Sequence, residues 1–338
     1  SIFCRYYTGS NTPFSQNRVQ YNSFFWQSYD FQRFKIHFTK GGQKHAVYTA
    51  KTAHLYLQKL EKFLDFKIEN KIHFIIYNSH SKFRQSNIGL TNDISSNIGG
   101  TARINGEKVF LYFNGDHNDF NRQINSGIAE IILQNILFGS DLKQSVKNTS
   151  FTNMPLWFKN GLIDYLSTDW NTSADGELKN MILSGKAEKF HSLSNKEAQL
   201  FSFGMWRYID EVFGRNMIPN LIYMMKVSKS VESGFIYVLG ITSEMLQEDF
   251  INHYKNLYTD DVSNSIDLKL KKVKIKSKKN RVYRQFKINK KGNKIAFVEH
   301  YLGQYKVKIY DIEKNRLRTA IKGDHKLNEK GAELGGNS

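Results

Sequence analysis

Hydrophobic periodicity changes twice along this 338-residue chain, and the two changes limit its fold more than any other feature. Apolar and polar side chains alternate over Phe34-Lys35-Ile36-His37-Phe38, the period of a half-buried strand, and Gly41-Gly42 ends it. Ile72-His73-Phe74-Ile75-Ile76-Tyr77 is apolar on both faces, which predicts a central strand. Val109-Phe110-Leu111-Tyr112-Phe113 predicts a third. Between the first two, Ala46, Ala50, Ala53, Leu57, Leu60 and Leu64 recur at helical spacing over about five turns.

Past residue 120 the period becomes helical. Ile124, Ile128, Ile131, Ile132 and Leu137 form one stripe. Pro155 stands where a helix starts, and Leu156, Trp157, Leu162 and Leu166 continue it. Residues 203–213, 219–225 and 243–258 predict further helices. Strands first and helices second predict an α+β domain over residues 31–258. A polar and aromatic lead-in, residues 1–30, precedes it.

From Tyr283 the strand period returns. Phe286-Lys287-Ile288 and Ile295-Ala296-Phe297-Val298 flank a turn at residues 289–293, a hairpin pattern. A third strand at 305–310 leads into a turn at 311–315. Three short, evenly spaced strands suit one propeller blade, so residues 283–338 are expected to open an all-β propeller. A single blade is not stable alone, and more are expected to follow. The chain starts without methionine and closes on Gly335-Gly336-Asn337-Ser338, so it is expected to be part of something longer.

Composition narrows the class. A hydrophobic content of 40% suits a folded chain, and no run approaches the roughly 20 apolar residues of a membrane-spanning helix. The single cysteine, Cys4, excludes an internal disulfide, and the residues before it match a lipidation signal poorly. The formal charge of +18 is concentrated: residues 269–294 hold thirteen Lys or Arg and no acid, 13 of the 18 excess charges. The basic stretch, residues 259–282, is expected to link the two domains. Lys269-Leu270-Lys271 and Lys274-Ile275-Lys276 alternate charge with aliphatic groups, as a solvated edge strand does. Its functional alternative is an anion contact through Lys269, Lys271, Lys272, Lys274, Lys276, Lys278 and Lys279. Lipopolysaccharide phosphates or an acidic protein face would serve. Nucleic acid is the distant choice, because the stretch lacks interleaved aromatics for base stacking.

Four segments carry a family resemblance. They are Tyr77-Asn78-Ser79-His80-Ser81-Lys82-Phe83-Arg84-Gln85-Ser86-Asn87, the Gly99-Gly100 turn, Pro155-Leu156-Trp157-Phe158-Lys159-Asn160-Gly161-Leu162-Ile163-Asp164-Tyr165-Leu166-Ser167, and Phe203-Gly204-Met205-Trp206-Arg207-Tyr208-Ile209. In order and spacing they make residues 21–258 resemble the peptidase MA-like, gluzincin-type metallopeptidase domain of bacterial envelope proteins, in which TolB-like (WD40-like) propeller repeats follow. Asn289-Lys290-Lys291-Gly292-Asn293-Lys294-Ile295-Ala296-Phe297 is similar to the start of such a repeat.

The resemblance implies a zinc site that these residues lack. Active relatives carry H-E-x-x-H on a helix, where two imidazoles bind zinc and the glutamate activates water. The matching positions are Ser126-Gly127-Ile128-Ala129-Glu130, and the third-ligand glutamate falls on Asn160. Asp164 matches an acid that steadies a ligand histidine in such enzymes. Serine and glycine offer neither imidazole nor base, and an asparagine amide is a poor zinc donor. No catalytic residue, metal or cofactor is therefore expected. Glu130 with Asp164 could serve a hard cation such as calcium, a distant choice because only two carboxylates are identified.

The ten histidines show no pair four residues apart on a helix. Gly99-Gly100 and Gly335-Gly336 lack phosphate-loop context, and Ser126 has no histidine at plausible spacing. The implied function is a catalytically inactive, metallopeptidase-like binding or scaffold protein of the bacterial envelope, periplasmic or outer-membrane associated, with a propeller for protein partners. Two alternatives are a zinc peptidase with a non-standard site and an architectural subunit of an outer-membrane secretion or assembly machine.

Overall fold

The alternating segments pair into a sheet, and the helical stripes cover it. A computed structural model of the protein describes residues 23–83, 85–86, 103–105, 107–139, 154–263, 273, 275, 277–279, 281–301 and 304–323. The chain divides into two compact units, Ser1–Asn264 and Ser265–Ser338.

In the first unit, β1 (Trp26–Asp30), β2 (Phe34–Thr39), β3 (Ile72–Tyr77), β4 (Arg103–Asn105) and β5 (Lys108–Tyr112) form one sheet in the order β1-β2-β3-β5-β4. β2, β3 and β5 are parallel, and both edge strands run antiparallel to their neighbours. β3 is central, as its two apolar faces predict. Phe74 and Ile76 enter the core shared with the helices. Ile75 and Tyr77 join Phe83, Phe110 and Tyr112 in a second cluster under Phe24 and Trp26. β1 escaped the periodicity reading because only Trp26 of its five residues is partly buried; the ladder to β2 holds it.

Gly41, at φ +85°, turns the chain from β2 into α1 (Gln43–Leu64). The α1 stripe is buried as its spacing predicts, except Ala50, which is only partly covered. Each fully buried leucine there contributes about 1.5–3 kcal/mol. Among the described residues the remaining α-helices are α2 (His80–Phe83), α3 (His117–Phe138), α4 (Leu156–Ser167), α5 (Thr172–Leu183), α6 (Asn195–Val212), α7 (Met217–Ser228), α8 (Val231–Leu239) and α9 (Ser243–Ser263). α5 has a thin apolar stripe (Leu178, Met181, Ile182 buried) and an internal Gly176, so periodicity missed it; Asn171 caps its first turn. α9 runs to Ser263 rather than ending at Tyr258, because no glycine or proline breaks the polar turn beyond the stripe. Among the described residues no helix is long and apolar enough to cross a membrane.

The second unit holds β6 (Val282–Ile288), β7 (Lys294–Tyr301), β8 (Gln304–Asp311) and β9 (Arg316–Gly323), an antiparallel meander in chain order. Four strands are present rather than three. β9 alternates Leu317, Thr319 and Ile321 with Arg316 and Arg318, yet it is exposed along nearly its whole length. In this sheet the buried hydrophobic residues are Phe297 of β7 and Tyr310 of β8, with Phe286 stacked on Phe297 at 5.3 Å. Among the described residues the strands form one open sheet and close no barrel or propeller. The architecture is mixed α/β, a small mixed sheet followed by helices and a separate antiparallel sheet.

The edge strand expected in the basic stretch is not seen at its described positions. Val273, Ile275, Ser277 and Lys278 carry no strand, and pairing begins only at Val282.

Candidate functional site

The helix carrying Ser126, Gly127 and Glu130 is fixed by its own polar residues. Asp116 caps α3 and accepts from the Asn118 amide at 2.8 Å. Two turns on, the fully buried Gln123 hooks the helix to the end of β5. Its Oε1 accepts from the Tyr112 amide at 3.1 Å, and its Nε2 donates to the Tyr112 carbonyl and to Asp119, both at 3.1 Å. This bridge satisfies backbone groups that lie beyond the paired residues of β4. It fixes the rotation of α3, and with it the direction of residues 126–130.

Ser126 is buried, and its hydroxyl donates to the Gln123 carbonyl at 3.3 Å, within its own helix. Gly127 is buried too. Glu130 is half-buried, and α4 packs against α3 so that Lys159 reaches it: Nζ lies 3.1 Å from Oε1. Gln134 donates to the same oxygen at 3.3 Å. Asn160 is half-buried beside Lys159. Asp164, one turn on, accepts from Gln199 of α6 at 2.6 Å. Burial pushes its carboxyl above the usual range, against the Gln199 hydrogen bond and the Arg122 charge.

The structure thus brings α3 and α4 together and gives their acids separate partners. A zinc site needs three protein donors of nitrogen, sulfur or carboxylate type. Here the serine hydroxyl is turned to the helix backbone, Gly127 has no side chain, and Asn160 supplies only an amide. The remaining carboxylate, Glu130, is held by Lys159. These residues do not fit zinc. Among the described residues no three His, Cys, Asp or Glu stand close enough to hold a metal ion.

Sequence reasoning missed Lys159 and Gln199, although both sit within or beside quoted segments. Periodicity shows which face of a helix is buried, not which polar side chain will reach another helix. It also missed a histidine pair. His37 and His73, 36 residues apart, meet across β2 and β3 with Nε2 and Nδ1 3.4 Å apart and rings stacked at 15°.

Close helix packing supports this arrangement. Gly161 of α4 faces Ser202 of α6, and a Cβ at Gly161 would lie 2.3 Å from Ser202 Cβ and 2.7 Å from the Phe203 amide nitrogen. Ser202 Oγ donates to the Phe158 carbonyl at 3.1 Å, joining the two helices.

Among the described residues, two of the cavities on the first unit are lined by none of Ser126, Gly127, Glu130, Asn160 and Asp164. One, of about 360 Å³, lies among α1, α4 and α6, with Tyr56, Trp170 and Arg215 on its wall. The other, of about 950 Å³, lies between the start of α4 and the α8–α9 pair.

Of the basic stretch, Lys278 and Lys279 are exposed, and the Lys278 amide donates to the Tyr283 hydroxyl at 2.9 Å. Lys269, Lys271, Lys272, Lys274 and Lys276 lie outside the described residues, as do Cys4, Gly99-Gly100 and Gly335-Gly336. Compared with known proteins, the chain matches no family and no curated sequence.

Proposed function

We propose that the chain is a catalytically inactive, metallopeptidase-like binding protein of the bacterial cell envelope, its second unit the first blade of a TolB-like propeller that adds a face for protein partners. The observation that carries this reading is the Glu130–Lys159 pair. At the family's ligand positions the one remaining carboxylate is neutralised by a cation from the facing helix. Lysine next to a zinc ligand would compete with the metal for that oxygen. Asp164 lacks a histidine to steady and is satisfied by an amide instead.

The blade reading draws support from the meander order and from the apolar side chains exposed on both faces of the sheet. By register, Ile288 and Leu317 stand on one face, Val282 and Ile321 on the other, all more than a third exposed. Such faces are covered in a propeller by neighbouring blades. The envelope location and the outer-membrane or lipopolysaccharide surface as partner rest on the family resemblance alone.

The test is metal content and activity together. Purified protein is incubated with zinc, desalted and analysed for bound metal, and its cleavage of an unfolded protein is followed with and without chelator. Zinc well below one equivalent and no chelator-sensitive cleavage are expected. Stoichiometric zinc, with cleavage abolished by chelator and by Glu130→Ala, would overturn the proposal.

A further inference from the structure

The 950 Å³ cavity between α4, α8 and α9 combines an aromatic floor with a rim whose charged residues are all acidic. Trp157, Phe158, Phe190, Met205 and Phe235 form the floor, with Trp157 and Phe190 packed at 4.6 Å. Four glutamates, Glu188, Glu232, Glu244 and Glu248, stand around it. Among the described residues no lysine, arginine or histidine lines it, in a chain whose formal charge is +18.

The acids are not equally committed. Glu188 pairs with Lys255 at 3.0 Å, and Glu232 accepts from the Ser243 amide at 3.1 Å, holding the start of α9. Glu244 and Glu248 are exposed and pair with no cation among the described residues. They sit four residues apart on α9, where like charges repel. With Gln247, Ile251 and Asn252 they make one continuous face of the helix, and all five line the cavity. An unpaired acidic face over aromatic rings is matched by a cation bearing apolar groups, because a Lys or Arg head is attracted both to the carboxylates and to the ring faces.

The size selects among such cations. A void of this volume takes several side chains at once, more than a compact amine fills. The acids come from three separate segments, so one point charge cannot serve them all. The Gln247 and Asn252 amides each offer a donor and an acceptor, the pair that a peptide backbone requires. We propose that this cavity is a docking groove for a basic polypeptide segment, one that alternates Lys or Arg with apolar residues. The inference does not depend on the state of the zinc positions, none of which lines the groove.

Specificity follows from distance. At physiological ionic strength charges are screened beyond about 8 Å, so the chain's overall positive charge acts weakly at the groove while Glu244 and Glu248 act directly. A basic segment is attracted there despite the bulk charge.

The test uses the intact 338-residue chain and calorimetric titration at about 0.15 M salt with three probes: an eight-residue peptide alternating lysine and leucine, its glutamate–leucine counterpart, and spermidine. The basic peptide is expected to bind with one site, and the acidic peptide not at all. Spermidine is expected to bind at least about tenfold more weakly, because it leaves the aromatic floor unfilled. The Glu244→Gln/Glu248→Gln variant should lose about tenfold in affinity for the basic peptide. Asp260→Asn, on the same helix away from the groove, removes a charge as well and should leave affinity unchanged. Equal loss in the Asp260→Asn control, equal binding of spermidine, or unchanged affinity in the double variant would overturn the proposal. Trp157→Ala separates the groove from a diffuse acidic surface, since only the groove loses affinity with that ring.

Discussion

The ammonium of Lys159 on α4 lies 3.1 Å from the Glu130 carboxylate on α3, with each side chain about a quarter exposed. The pair ties together the helix that carries Ser126, Gly127 and Glu130 and the helix that carries Asn160 and Asp164. Partial exposure limits its strength to about 1 kcal/mol. A double-mutant cycle with Glu130→Gln and Lys159→Met, read by urea denaturation, should therefore give a coupling energy of about 0.3–1 kcal/mol. A coupling near zero would mean that the contact does not hold the helices.

Helix contact at Gly161 is tighter, and its loss should be larger. A Cβ there meets Ser202 Cβ at 2.3 Å and the Phe203 backbone at 2.7 Å, and neither can withdraw cheaply. Gly161→Ala is expected to destabilise the first unit by about 2–4 kcal/mol, with α4 and α6 forced apart. Adding Ser202→Gly should recover part of this, since the backbone clash with Phe203 persists. Thermal unfolding of the single and double variants checks both statements.

Acid should weaken the sheet through His37. Burial, then the nearby His73, Lys35 and Lys108, hold this imidazole at about 4, below its ordinary 6.5, while Asp30 opposes them. His73 is lowered too, by burial and then by Lys108 and Lys35, with Glu107 and Asp30 opposing. For a base with a depressed folded value, the unfolded chain takes up the proton first as pH falls. Its contribution is therefore complete above pH 6.5 and is lost as pH drops toward 4. The loss is at most about 3 kcal/mol. Urea titrations at pH 7 and 4.5 should show a smaller pH effect in His37→Gln than in the parent. Carboxylates titrate equally in both proteins, so identical pH dependence would remove His37 from the account.

In the second unit Glu299 is 2% exposed and pairs with both Arg281 and Lys308, the latter at 2.8 Å. Burial acts to raise its carboxyl, and the Lys308 and Arg281 hydrogen bonds and charges overcome this and leave it below the usual 4.5. For an acid so depressed, stability is present above pH 4.5 and is lost as pH falls further. Glu299→Ala strands two cations in the sheet and should cost about 2–4 kcal/mol of local stability. Amide exchange in β7 and β8 is expected to quicken at least about tenfold, with α3 and α6 unaffected.

Much of the fold was legible because apolar residues repeat on the period of the element they belong to. β2, β3 and β5, and the stripes of α1, α3 and α4, follow directly from residues such as Ile36, Leu57 and Ile128, buried by the mere fact of their spacing. Where burial is slight the signal fades. β1 and β9 are exposed and stand only through their ladders, and α5 buries three residues of twelve. That Ser126, Gly127 and Asn160 supply no imidazole and no carboxylate was plain in the sequence, since a serine or an asparagine is visible without coordinates.

By itself, the order of amino acids determined that strands precede helices, that strands return near residue 283, and that Ser126, Gly127, Glu130 and Asn160 lack the donors zinc requires. Tertiary structure alone decided that Lys159 meets Glu130, that Gln199 meets Asp164, that His37 stacks on His73, and that Glu244 and Glu248 overlook Trp157. The reason is physical. Periodicity records one face of one element against water, whereas a polar partner or a cavity wall depends on how separate elements approach, a distance and an angle that no local pattern of residues carries.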